Sequence, residues 1–211
     1  VNYKRRLPIA LKELYAVNGL EEWFSRKNRD RIEPLQVLMV ETREYWQEEM
    51  GLTFEGIPQH LQADEGIPFF IECQGCWCWW VLLTGNEDPP VIVECLEENA
   101  QILACERLSD FIFACAWDLT INDRPFVIQG EYHNESEFLA WLRNKWEEKP
   151  RTRLSSSIRR YRFGKKDRRL LLWEETRQFF LSADTKTSGE EALRQMEPFA
   201  KYVESKNGLH V

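Results

Sequence analysis

Apolar and polar residues recur along this chain at two periods, and the changes between them mark out its elements. Residues 7–19, LPIALKELYAVNG, place Leu7, Leu11, Leu14 and Tyr15 on one stripe, which predicts a short amphipathic helix. Pro8 stands where a first-turn proline costs nothing, and Asn18-Gly19 can close the end. Leu20 to Asn28 reads as a loop or short turn carrying Trp23 and Phe24 inward. Ile32 to Met39 reads as a short strand or a connector interrupted by Pro34. Thr42 to Met50 is the next helix, with Thr42 as N-cap and Gly51 as stop; Tyr45 stands where a capping box would need an acid. Glu44, Glu48 and Glu49 share its solvent side, while Tyr45, Trp46 and Met50 point elsewhere.

Strand-length apolar runs follow. Ile67 to Cys73 and Cys76 to Leu83 flank Gln74-Gly75, a two-residue hairpin signal. Pro90 to Leu96 supplies a third strand, entered through two prolines that a central strand would hardly accept at its first positions, and Ala100 to Glu106 a fourth. Ser109-Asp110 then caps a helix through about Leu119. Beyond it, Phe126 to Gly130 is a strand, and residues 134–137 cap a helix from Glu137 to Glu147. The polar, basic stretch from Lys149 to Ser157 reads as a mobile loop. Ile158 to Phe163, Arg168 to Trp173 and Gln178 to Ala183 are three further strands, with a turn at 164–167 between the first two. Ser188-Gly189-Glu190-Glu191 is a capping box for a final helix that carries Leu193, Met196, Ala200 and Val203 toward the core, kinked or broken at Pro198. Residues 206–211 are expected to fray.

The fold class expected is α+β, a largely antiparallel sheet flanked by helices. Residues 1–121 form the core, and 122–211 a strand-helix extension packed on the same sheet, since about 55 residues alone would make a weak core. At 211 residues the chain can bury a substantial interior. No stretch reaches the roughly 18 uncharged apolar residues of a membrane span, and the basic N-terminus leads into an amphipathic helix, so a cytoplasmic chain is expected.

Charge is divided unevenly. Glu33 through Glu98 holds fourteen acids against the single base Arg43, while Arg151 through Arg169 holds nine bases against Asp167. An acidic, aromatic-rich surface would be steered to a basic cleft such as that of a nucleic-acid-directed toxin. Glu41, Glu44, Glu48, Glu49, Glu55, Asp64 and Glu65 are the residues placed on it; an ordinary solubilising exterior is the plainer reading. The nine tryptophans pose a similar choice. Trp77 and Trp79 share one face of their strand and Trp80 the other, and either set serves the core or a groove open to a partner. The basic cluster could grip phosphates, pair with the acidic half or contact another protein.

Catalytic chemistry finds little support. Cys73-x-x-Cys76-x-Cys78 is a single closely spaced set on a hairpin, where zinc commonly wants two converging pairs, and His60 is a fourth ligand only if a loop delivers it. Cys95, Cys105 and Cys115 stand in apolar runs as reduced core thiols. His60, His133 and His210 are the only histidines, and there is no nucleophile elbow, phosphate-cradling glycine loop or H-E-x-x-H. No catalytic residue, metal or cofactor is assigned.

The helix LPIALKELYAVNG, the strand CWCWWVLL, the segment DPPVIV and the helix LSDFIFACAWDL, in that order between Leu7 and Ile121, resemble the SUKH superfamily, the Smi/Knr-like and Syd-related proteins. The resemblance implies an α+β fold with a cleft used for protein binding. It further implies an immunity protein that neutralises a cognate bacterial toxin by direct binding, or else a cytoplasmic regulatory adaptor. A zinc-binding enzyme is the third possibility. The region beyond Asn122 departs from the minimal pattern.

Overall fold

The structure is a computed structural model that describes residues 7–205, apart from 29, 49–52, 55–56, 96–99 and 156. It is an α+β protein with two sheets. The chain divides into two compact units: residues 1–112 with 153–156, and residues 113–152 with 157–211.

The first unit opens with α1 (Ile9–Ala16) and α2 (Leu20–Asn28). Pro8 precedes the first helical residue, Leu11 and Leu14 are buried, and Gly19, at φ +75°, turns the chain into α2. The expected loop at 20–28 is therefore a helix. The Gly19 carbonyl accepts its first bond from the Trp23 N–H at 2.9 Å, and Glu21 and Glu22 occupy the first turn, where helix N–H groups favour acids. Next come β1 (Arg31–Ile32), a 3-10 turn at Leu35–Val37, β2 (Glu41–Thr42) and α3 (Arg43–Glu48). The Thr42 hydroxyl accepts from the Tyr45 N–H at 3.3 Å, as its capping role requires. After β3 (Thr53–Phe54) come the long strands β4 (Glu65–Ile71), β5 (Trp77–Leu82), β6 (Val91–Cys95) and β7 (Ala100–Cys105), then α4 (Leu108–Thr120).

The first sheet runs β1-β4-β5-β6-β7-β3, with β2 also on β4; it is antiparallel except for β3 against β7. Phe24, Phe69, Phe70, Trp79 and Phe111 form an aromatic core on one face, with ring centroids 5.0 Å apart for Phe70–Trp79 and 5.6 Å for Phe69–Phe111. Ile57, Leu61, Trp80, Leu82 and Ile92 cluster on the other. The β4–β5 connection is wider than the expected two-residue turn. The Glu72 N–H donates to the Trp77 carbonyl at 3.0 Å, which encloses residues 73–76, with Gly75 at φ +75°. The cap of α4 also differs from expectation. Asp88, from the double-proline segment, accepts from the Ser109 N–H at 2.9 Å and the Ser109 hydroxyl at 2.5 Å. Ser109 and Asp110 lie inside the helix.

The second unit contains β8 (Phe126–Tyr132), α5 (Glu135–Lys145), β9 (Glu147–Arg153), β10 (Arg159–Lys165), β11 (Arg168–Trp173), β12 (Gln178–Ala183), α6 (Lys186–Met196) and β13 (Ala200–Ser205). Its strands form a sheet of their own, β13-β8-β12-β11-β10-β9, instead of extending the first sheet as expected. The boundary between units falls within α4, not after Ile121. One face buries Phe163, Leu170, Leu172, Phe179 and Leu181 with Phe138 and Leu142 of α5 and Ala192 and Met196 of α6. That interior is large enough to explain why these residues need no place on the first sheet.

Three further expectations fail here for local reasons. Residues 147–153 are a strand and not a loop: as the edge of the sheet, β9 tolerates Pro150. Asn134 precedes α5 in a left-handed conformation, φ 50°, and its side chain makes no capping bond. Helix α6 starts two residues before the expected box, capped by Thr185, whose hydroxyl accepts from the Ser188 N–H at 3.2 Å. Ser188 and Gly189 are then buried within it, and a Cβ at 189 would lie 1.9 Å from the Phe126 ring. The helix ends at Met196 before Pro198, and Ala200 and Val203 belong to β13, paired with β8. Residues 206–211 lie outside the described residues.

Candidate functional site

The hairpin cysteines do not assemble a metal centre with His60. Among the described residues, the one set of potential ligands converging within 4.8 Å is Asp30, Glu72 and Cys73. Its carboxylates organise the turn. One Glu72 oxygen accepts from the Gln74 N–H at 2.8 Å and the Cys76 N–H at 3.4 Å, the other takes the Cys73 thiol at 3.2 Å, and Asp30 accepts from the Cys73 N–H. That bond to Glu72 raises the Cys73 thiol's pKa, and burial raises Cys78's. His60 is exposed and His133 half-buried. Cys105 is buried and Cys115 half-buried, and neither is in a disulfide.

The segment between β1 and α3 offers something else. Leu35, Val37, Met39 and Val40 are 42%, 55%, 64% and 36% exposed, and Tyr45 of α3 is 42% exposed. Leu38, at 3%, is the buried peg of this run. Upstream, the Tyr15 hydroxyl donates to the Glu33 carbonyl, and burial together with Glu21 and Glu33 raises its pKa, which keeps it a donor. Exposed apolar residues crowded into one short stretch are unusual on a chain with no need to bind anything.

Acids follow this stretch directly. Glu44 and Glu48 are exposed on α3, and Glu41 is half-buried on β2. β2 pairs with the start of β4, Thr42 opposite Glu65, which adds Glu65 and the exposed Asp64 to the same region. Glu65 also lines an open groove of about 390 Å³ between the start of α1 (Leu7, Pro8, Ile9) and the loop after β5 (Leu83, Glu87). The Ala10 N–H donates to the Glu87 carbonyl at 3.0 Å, which holds α1 beside that loop. Five of the acids placed on a partner surface by sequence therefore lie in one chain region; Glu49 and Glu55 fall outside the described residues. The tryptophans do not join them. Trp79 is a core residue at 6% exposure, and Trp77 is half-buried at the far end of β5. The residues missed were Leu35, Val37, Met39 and Val40, whose signal was an apolar run after Pro34, broken by Gln36 and irregular for either period.

The basic segment is turned to internal use. Arg162, 1% exposed, is gripped by both Asp118 oxygens at 2.7 and 2.6 Å. Arg168 bonds Ser188 and Glu191, Arg169 bonds the Thr120 hydroxyl and covers the Trp117 ring, and Arg159 faces Glu174. These acids are outside the Glu33–Glu98 stretch, so the two charged segments do not neutralise one another through these pairs.

Among the described residues no helix is long and apolar enough to cross a membrane. No protein-family model, curated protein or solved structure matches the chain.

Proposed function

We propose that this chain is a non-catalytic binding protein of SUKH type. It acts as an immunity protein that occludes the basic surface of a cognate toxin, a nuclease being the activity that best suits the charge. The observation that carries the reading is the run Leu35, Val37, Met39, Val40 exposed beside Glu44 and Glu48. Apolar side chains supply the contact that excludes water, and the acids steer a basic partner toward it. The resemblance motifs touch one another in the fold: the Ala10 N–H donates to the Glu87 carbonyl, and Asp88 accepts at the head of α4.

The test is to identify a partner by capture on the full chain and then measure its association at low and high salt. Glu44→Lys/Glu48→Lys should slow association about tenfold at low salt and flatten its salt dependence. Met39→Asp should speed dissociation by about tenfold or more. Unchanged rates in both variants, or turnover of any substrate by the purified chain, would overturn the reading. An endogenous regulatory protein as the captured partner would replace the toxin with the adaptor role.

A further inference from the structure

Arg160 stands apart from the other arginines of the second sheet. It projects from β10 on the same face as Arg162, with Trp173 of β11 directly opposite in the ladder. Arg162 has its donors committed: two bonds to Asp118, two to the Pro150 and Arg160 carbonyls at 3.2 and 3.4 Å, and one to the Thr152 hydroxyl at 3.1 Å. Arg160 has no such set. Its guanidinium carbon lies 4.7 Å from the Trp173 ring centroid. Its nearest acid oxygen is Asp118 Oδ2 at 3.7 Å, which already accepts from Arg162 at 2.6 Å. Its Nε is enclosed and finds no acceptor, although a quarter of the side chain remains open to solvent.

Two guanidinium groups thus share the Asp118 carboxylate in a partly desolvated place, with Glu175 a further negative charge acting on Arg160. Burial, followed by the neighbouring Arg162, pulls the Arg160 pKa below its ordinary value although both acids act against it. An arginine carries a planar fork of five donors matched to oxyanions, and an aromatic ring beneath it holds the fork in one orientation. A desolvated donor without an acceptor is costly, and an oxyanion at the open quarter of the Arg160 side chain would supply acceptors to the rest of the fork.

We infer that Arg160, seated on Trp173 and backed by the Arg162–Asp118 pair, is the receptor for a phosphate group. A phosphate offers several charged oxygens to the open fork. The site belongs to the second unit and does not depend on the acidic surface of the first.

The experiment is calorimetric titration of the full chain with inorganic phosphate and with adenosine monophosphate, against chloride at matched ionic strength. Saturable binding of either phosphate, absent with chloride, is expected. Arg160→Gln should weaken it about tenfold or more, as loss of charge-assisted bonds implies. Arg160→Lys, which keeps the charge without the fork and guards against a folding defect, should weaken it by a smaller factor. Arg159→Gln, on the other face of the same strand, should bind as the parent does. Tighter binding of the nucleotide would assign the site to an organic phosphate ester, and equal binding to free phosphate. Absence of saturable binding in the parent chain, or binding by folded Arg160→Gln equal to the parent's, would overturn the inference.

Discussion

The two sheets handle charge in opposite ways. In the first unit the acids beside β2 and on α3 face outward, in company with apolar side chains that a folded chain would normally bury. In the second unit several arginines of the densest basic stretch are paired within the unit, with Asp118, Glu174, Glu191, Trp117 and Trp173, while Arg151, Arg159 and Lys166 stay exposed. A chain whose sequence looks like one acidic half and one basic half therefore leaves several of its acids exposed and pairs several of its bases internally. Charge counted along a sequence measures what is available; only burial and pairing decide what a partner meets.

The contrast is broken most severely at Asp118. Asp118→Ala leaves Arg162 buried with its charge uncompensated and removes the acid in ion-pair range of Arg160, and should cost about 3–5 kcal/mol in urea unfolding. The loss should appear in the transition of the second unit; an unmoved midpoint would mean that the inward arginines are not held as described.

Glu94 is the acid of the first unit that turns inward, and it gives a smaller, pH-dependent effect. It is 4% exposed and accepts from the Trp80 indole N–H at 3.2 Å; burial raises its pKa, with a further contribution from Glu41. The folded state then holds this proton more tightly than the unfolded chain does. Stability is highest below the ordinary carboxylate value of 4.5 and falls as pH rises from there through the elevated folded value. Each unit of elevation is worth about 1.4 kcal/mol. Glu94→Gln keeps an acceptor for Trp80 and should flatten that slope, making the variant the more stable form at pH 8. Parallel stability profiles for the two proteins would contradict the assignment.

The smallest stability effect belongs to the outward acids. Glu44→Lys/Glu48→Lys should leave the melting temperature essentially where it was while changing association rates, because exposed charges contribute little to folding. A clear loss of stability would mean that α3 serves the fold rather than a partner.

Much of the fold was legible because its signals are local. The stripe Leu11–Leu14 placed α1, and the runs at 168–173 and 178–183 placed β11 and β12, since burial of one face imposes a period within a few residues. The errors share a cause. Residues 147–153 carry no apolar alternation and became a strand because a neighbouring strand supplies their bonds. Ser109-Asp110 and Asn134 are good caps in isolation, but Asp88, 21 residues away, reached the first of those helices. Of the site, the acids could be read from composition, whereas Trp79 and Trp77 could not be sorted into core and surface, because alternation names two faces without saying which is covered.

The sequence by itself determined that this is an α+β chain with several strands of period two, helices of period 3.6 and a strongly acidic first half. Tertiary structure decided that the strands form two sheets, that Asp118 meets an arginine 44 residues away, and that Leu35, Val37, Met39 and Val40 stay uncovered. The physical reason is range. Backbone preference and amphipathic pattern act within a turn or a strand, while burial and charge pairing depend on which distant surfaces come together.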